Sequence, residues 1–397
     1  MKQLFVVLCF LCSLCASSQL KYPVLSEDSE INLITIGPGP ELYDAFGHTA
    51  IQVFDKSNDI NVVFNYGVFD FDTPNFYLKF ARGKLLYKLA ATSYDDFIYN
   101  YKAQERWIKL QELNLDLENR QATFRFLMHN LQEENKYYKY DFFYDNCATR
   151  PYYAIASGLG NSLQMDYSQQ EKGLSHRDLI HQYIPWNSWG SLGIDVALGS
   201  VIDREATPEE YLFLPNELLS AFAKAKISTS EGNKPFTLDT ITAYIPTESH
   251  SYGSIFVLSP LFIFSILSLL IIYKTYKDYI KKYKIGWLDV LLLSLTGFIG
   301  ILISFLWLGT DHTATAWNYN LLWAFPFHIL AAFIISKSNP PRWIYPYMKL
   351  AIILMLLLFF HWIIGVQKYP FALLPLLIAI TMRYLFILRS LRTLRDS

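Results

Sequence analysis

Beyond residue 15 the chain contains a single cysteine, Cys147, in the stretch YDFFYDNCATRP (140–151). Asp145 and Asn146, just before it, are good helix-capping residues, and Pro151 is tolerated only close to a helix start. CATRPYYAIASGLG therefore reads as a helix from roughly Cys147, with Gly158 near its end. A helix amino terminus carries about half a positive charge, which favours thiolate over thiol. That placement suits a nucleophile. The competing reading is a small buried hydrophobe, which free cysteine often is, but DNCATR is a poor core sequence.

A nucleophile needs a base. Of the histidines before the apolar third of the chain, His129 lies among polar neighbours in a helical pattern. His176 and His181 flank RDLI five residues apart, off a common helix face, and His250 lies in a polar stretch. His48 differs: DAFGHTAIQVF puts it at the start of a strand, after a glycine that lets a neighbour approach closely. A strand-borne histidine facing a helix-borne cysteine is the papain type of pair. A hydrogen-bonded histidine at a strand end is the plainer alternative. No HExxH or CxxC pattern is present, so no metal or other cofactor is expected.

The elements that must position this pair are mixed. INLITIGPG, HTAIQVF and NVVFNYGVF have strand character, DLENRQATFRFLMHNLQEEN has helical spacing, and KYYKYDFF returns to strand composition. GPGP (37–40) is a turn and not a phosphate loop. A formal charge of −1 gives no sign of nucleic-acid binding, and no internal repeat stands out.

The ends of the chain set the compartment. Lys2, an apolar run from Leu4 to Cys15, and the small residues Ala16 and Ser18 have the layout of a secretory signal (1–18) cut before Gln19. A lipoprotein signal using Cys15 is the rival; Cys12 stands where a large aliphatic residue would be expected. After cleavage Cys147 alone remains, which excludes an intramolecular disulfide. Residues 19–225 read as one α+β soluble domain and 226–253 as a short polar tether. The remainder, 254–397, reads as an α-helical membrane domain with five apolar segments: 255–273, 287–308, 320–335, 350–365 and 371–387.

Lysines and arginines crowd the connections after the first and third segments and the carboxyl terminus; the alternate loops, 309–319 and 366–370, contain only Lys368. The positive-inside rule places residues 19–253 outside and the carboxyl terminus inside, as the signal also requires. Trp307, Trp317 and Trp323 read as an interfacial belt. Asp311, His312, Thr315, Asn318, Asn320 and His361 cluster toward the outer side, with His312 and Asn318 the first candidates for function.

FGHTAIQV, NYGVFDFDTPNFYLKFARG, YDFFYDNCATRP and, in the apolar region, TDHTATAWNYNLLW occur in this order. Together they resemble Lnb-type lipoprotein N-acyltransferases over nearly the whole chain. The resemblance implies a permuted, NlpC-type papain-like soluble domain, with histidine before cysteine, followed by membrane helices. The lecithin–retinol acyltransferase group belongs to the same clan. It makes Cys147 the nucleophile and His48 the base. Asn65 in FNYG is the candidate for the third residue orienting the imidazole, with Asp70 and Asp72 as rivals.

A periplasm lacks ATP and acyl-CoA, so the expected acyl donor is a membrane phospholipid. The thioester on Cys147 would pass its chain to the α-amine of a lipoprotein's amino-terminal cysteine. The expected partners are thus phospholipid, lipoprotein and membrane, at the bacterial inner membrane. Asn146, Arg150, Arg177, His312 and Asn318 are the candidate substrate contacts. Two other readings remain open: a membrane-anchored cysteine peptidase or amidase acting on cell-wall peptides, and a non-enzymatic scaffold or sensor.

Overall fold

The computed structural model describes residues 22–70, 72–247, 255–282, 285–337 and 340–396. The signal segment 1–18 and the end of the expected tether, 248–253, lie outside the described residues. Ten strands are seen in the described residues: β1 (Glu30–Ile36), β2 (His48–Asp55), β3 (Ile60–Val68), β4 (Leu86–Ser93), β5 (Ile108–Leu113), β6 (Tyr137–Lys139), β7 (Leu163–Gln164), β8 (Lys226–Thr229), β9 (Gly232–Pro235) and β10 (Thr237–Tyr244). Seven pair antiparallel in the order β10-β5-β1-β2-β3-β4-β6, and β7, β8 and β9 form a small second sheet.

Helices of the soluble domain are α1 (Phe76–Ala81), α2 (Tyr94–Ala103), α3 (Leu117–Asn130), α4 (Thr149–Leu159), α5 (His176–His181), α6 (Trp189–Ala197) and α7 (Pro215–Lys224). Strand alternation divides the apolar residues between two faces of the large sheet. Ile31, Leu33, Ile51 and Val53 face Phe124 of α3, Ile155 of α4 and Phe222 of α7. Ile34, Ile36 and Ala50 face Phe97 and Ile98 of α2. Both faces are covered, so the sheet's central strands are dry.

The expected tether is corrected here. Residues 226–235 form the β8–β9 hairpin, and β10 lies on β5 at the edge of the large sheet. An edge strand with one solvent face carries many polar residues, and four successive β10 positions after Leu238 are exposed. Composition alone therefore resembles a linker.

Four helices of the apolar region are long and apolar enough to cross a membrane: α8 (Pro260–Ile280), α9 (Trp287–Leu308), α11 (Ile344–Ile364) and α12 (Leu374–Asp396). Ser259 caps α8 with Pro260 at its first position, and the helix runs past the apolar stretch to Ile280, which shifts the expected first boundary. The third expected segment, 320–335, is not one continuous helix. It contains a short 3-10 turn at Tyr319–Leu322 and the eight-residue helix α10 (His328–Ile335), separated at Pro326.

Two glycines of α9 explain that break. A Cβ at Gly300 would lie 1.9 Å from the Ala324 carbonyl oxygen, and one at Gly297 would lie 2.3 Å from the Ile329 nitrogen. Irregular backbone is thus pressed against α9 inside the bundle, where it is shielded from lipid.

Beside this packing, one charge cluster ties three helices. The Arg383 guanidinium of α12 donates to Asp289 of α9 through Nε (2.6 Å) and Nη2 (3.0 Å), and to Asp278 of α8 through Nη1 (2.8 Å). All three side chains are at most 2% exposed. Such a cluster tolerates no missing partner. Arg383→Met leaves the buried Asp289 without its cation, while Asp278 keeps Lys274, and should lower stability by roughly 3–5 kcal/mol. The thermal midpoint of the detergent-solubilised protein reads this loss.

Candidate active site

Gly47 fixes the entry to β2. Its φ is +84°, and a Cβ there would lie 2.6 Å from the Ile36 carbonyl oxygen, so only glycine delivers His48 to the strand at this angle. In β3, Ile51 pairs with Phe64. Continued to the strand end, this register sets His48 opposite Gly67, with Asn65 diagonal on the same face. His48 Nε2 lies 2.7 Å from Asn65 Oδ1. An amide oxygen only accepts, so Nε2 holds the ring proton and Nδ1 keeps its lone pair. Asp70 and Asp72 lie beyond the end of β3 in an exposed turn, away from this bond.

Cys147 arrives from the other side of the strand end. Gly67 has φ +90°, at a shift in the β3–β4 register, and a Cβ at this position would lie 3.5 Å from the Cys147 Cβ. The missing side chain opens the space that the cysteine uses. The Tyr140 ring packs on the same glycine, 3.6 Å from that Cβ position, and the Thr49 amide and the Tyr140 hydroxyl both favour the charged form of the sulfur. Imidazole and thiol thus share one corner of the sheet.

The expected thiolate is not what this corner favours. Cys147 precedes α4, but burial pushes its thiol up to about 11, against the lowering effect of Thr49, Tyr140 and the Arg106 charge. Burial also pulls His48 down to about 4, with the Asn65 bond opposing. Desolvation outweighs the helix end, because the Ala148 and Thr149 amides already donate to Asn146 Oδ1 (2.8 and 2.9 Å). The resting pair is neutral thiol with neutral imidazole.

Three residues around the pair carry no motif in the sequence. Tyr101 of α2 stacks on the His48 ring at 5.9 Å between centroids. Arg106, 4% exposed, lies over Tyr101 and donates from Nε to the Gly37 carbonyl at 2.7 Å. Its Nη2 is buried without a partner among the described residues. Tyr140 belongs to the quoted Cys147 stretch, yet only the fold brings its hydroxyl to the sulfur.

Several expected substrate contacts instead hold the protein together. Asn146, 2% exposed, accepts from the Ala148 and Thr149 amides at the start of α4 and donates to the Phe142 and Phe213 carbonyls, both at 2.8 Å. Arg177 is fully buried, paired with Asp195 (2.9 Å) and Asp203 (2.8 Å) and bonded to the Leu198 and Gly199 carbonyls. Asn318, 1% exposed, donates to the Val196 and Ala197 carbonyls. Each is a polar group buried because the backbone around it needs partners. Arg150 is half-buried, paired with Asp145 and 3.7 Å over the Tyr138 ring. His312 Nε2 lies 3.2 Å from the Phe80 carbonyl oxygen. A separate cavity of about 460 Å³, lined by residues including His181, Trp186, Trp362 and Lys368, contains none of the residues around Cys147.

The soluble domain is seated on the two loops that carry little charge. Lys139 pairs with Asp311 (2.8 Å), Thr313 donates to Asp141 (2.6 Å), Asn320 donates to the Asp195 carbonyl (2.9 Å), and Lys368 pairs with Asp178. A Cβ at Gly199 would lie 1.8 Å from the Ala316 carbonyl oxygen, so backbone meets backbone at this joint. Tyr140 therefore sits between two residues fixed to the membrane domain, with its ring beside Cys147 at Gly67.

The N-terminal region, residues 25–183, matches the family model described as the Lnb N-terminal periplasmic domain. Residues 251–393 match the Lnb transmembrane domain. The chain belongs to the Lnb family. No curated protein and no solved structure matches it. As an Lnb-family chain it is a membrane lipoprotein-modifying enzyme with a periplasmic amino-terminal domain and carboxyl-terminal membrane-spanning helices.

The neutral resting pair has a measurable consequence. Alkylation of Cys147 by iodoacetamide should rise with pH through the neutral range and keep rising toward about 11. A plateau reached near neutrality would reveal an ion-paired thiolate instead.

Proposed function

We propose that this chain transfers an acyl chain from a phospholipid, through a thioester on Cys147, to the α-amine of a lipoprotein's amino-terminal cysteine. The observation that carries the reading is the position of Tyr140. Its ring meets Cys147 at Gly67, while its neighbours Lys139 and Asp141 are held by Asp311 and Thr313 of the outer membrane loop. The nucleophile is thereby held close to lipid, where a soluble substrate has no need of it.

In the first step the thiol proton passes to His48 Nδ1 as the sulfur attacks the ester carbonyl, forming the C–S bond. The carbonyl–oxygen bond breaks, and the proton on His48 moves to the departing lysophospholipid oxygen. In the second step the amine attacks the thioester carbonyl, forming the amide C–N bond; the C–S bond breaks, and the proton that the imidazole takes from the amine passes to the sulfur. Asn65 is a positioning residue that holds the ring with Nδ1 free. The Tyr140 hydroxyl and the Cys147 amide, which both favour a charged sulfur, are the donors proposed for the oxyanion. Asn146 occupies the Ala148 and Thr149 amides, which removes them from that role.

The neutral pair fits transfer. A thiol that ionises only as the ester arrives has little chance to react with other electrophiles between turnovers. The half-buried corner also limits the access of water to the thioester, where it would turn the enzyme into a phospholipase. In this reading the helices lie in the inner membrane with the carboxyl terminus in the cytoplasm, as the lysine and arginine distribution favours.

Expression in bacteria lacking their own N-acyltransferase tests the proposal directly. The amino-terminal peptide of a lipoprotein should gain the mass of one acyl chain, and the gain should vanish with Cys147→Ala. An unchanged lipopeptide, or shortened wall peptides in its place, would overturn it. Asn65→Ala, which frees the imidazole to turn, should slow thioester formation roughly 10- to 100-fold while leaving the protein folded.

A further inference from the structure

From the sulfur, ring contacts continue without a break toward the membrane. Tyr140 stacks on Tyr87 of β4 with centroids 4.4 Å apart, and Tyr87 meets Phe69 edge-on at 5.5 Å. Phe69 contacts Phe76 of α1 at 5.8 Å, and Phe76 reaches Tyr77 at 5.3 Å and Phe80 at 6.4 Å. At the far end the apolar side chains are open: Tyr77 is 80% exposed, Leu78 57% and Phe80 53%. No residue of α1 is buried. A six-residue helix with such a face is not held by a core of its own.

The position of α1 identifies what covers that face. The Arg82 carbonyl accepts from the Asp311 amide at 2.9 Å, and Phe80 is tied through its carbonyl to His312. Gly83 is close-packed on the same loop, with a Cβ there lying 3.1 Å from the His312 nitrogen. This loop leaves α9 at Leu308, which is 78% exposed. The apolar face of α1 is therefore continuous with the outer end of a membrane-spanning helix. Lys79, Arg82 and Lys84 accompany it, a charge pattern complementary to phosphate headgroups.

We infer that α1 is seated in the outer leaflet and that the aromatic track from Tyr77 and Phe80 through Phe76, Phe69 and Tyr87 to Tyr140 binds the acyl chain of the donor phospholipid and leads its ester to Cys147. The headgroup phosphate stays with Arg82 and Lys84 at the surface. Flat rings accept a methylene chain along their faces without demanding a fixed register. The track is an acyl-binding site, and it rests on the acyl-transfer reading above only for its direction of use.

Photolabelling of the full-length Cys147→Ala protein tests the track without turnover. A phosphatidylethanolamine with a diazirine at mid-chain, incorporated in nanodiscs, should label Phe69, Tyr87 or Tyr140 in addition to α1. Label confined to α1 and the membrane helices would reduce α1 to an anchor and overturn the inference. Label from a diazirine-bearing diacylglyceryl lipopeptide, with none from the phospholipid, would assign the track to the acceptor and overturn it too.

A second measurement uses the double variant Leu78→Asp and Phe80→Asp, whose side chains are exposed. The ratio of Cys147 thioester formed from a dipalmitoyl donor to that from a dihexanoyl donor should fall about tenfold, because only the long chain needs the track. A ratio equal to that of the unsubstituted protein would overturn the inference. Absence of thioester from every donor in the unsubstituted protein would sink the acyl-transfer reading instead, leaving the photolabel to decide the track.

Discussion

The site depends on one hydrogen bond, from His48 Nε2 to Asn65 Oδ1. Its strength matters less than its direction, because the amide oxygen has no proton to give. The ring is held in the tautomer whose Nδ1 lone pair is free, and held by a residue on a neighbouring strand. Register in the sheet therefore becomes proton bookkeeping in the site. A slip of one residue between β2 and β3 would turn the imidazole and the amide to opposite faces. Gly47 and Gly67 flank the same end of this strand pair, each with a backbone conformation that side chains resist.

Much of this was legible in the sequence, for local reasons. Asp145, Asn146 and Pro151 announce a helix start within a few residues of Cys147, and alternation in HTAIQVF announces the strand that carries His48. What was not legible comes from distance along the chain. Tyr101 and Arg106 reach the site from α2 and the turn after it, and no spacing relates them to residue 48 or 147. The protonation state of the sulfur was hidden for a related reason. A helix end can be read locally, but desolvation depends on everything packed around it, and here it prevails.

Polar residues misled in a consistent way. Arg177, Asn318 and Asn146 looked like groups awaiting a ligand, and each is absorbed by irregular backbone that would otherwise be unsatisfied. The polar β10 looked like a linker because it lies at a sheet edge. The third apolar segment looked like one unbroken helix because hydropathy does not register that Gly297 and Gly300 admit bent backbone beside α9. Burial of polar groups and exposure of apolar ones were, in each case, decided by a neighbour far away in sequence.

The joint between the two domains has a geometric consequence. Backbone packs on backbone at Gly199 and Ala316, and charged pairs at Lys139–Asp311 and Lys368–Asp178 brace it. A catalytic head fastened in this way cannot bob on a leash. Its height above the lipid is a fixed clearance, cut into the fold like the throat of a gauge. Under the proposed transfer, substrates of both kinds come up to that level, so reach is a property of the client's own stalk and the enzyme itself stays still.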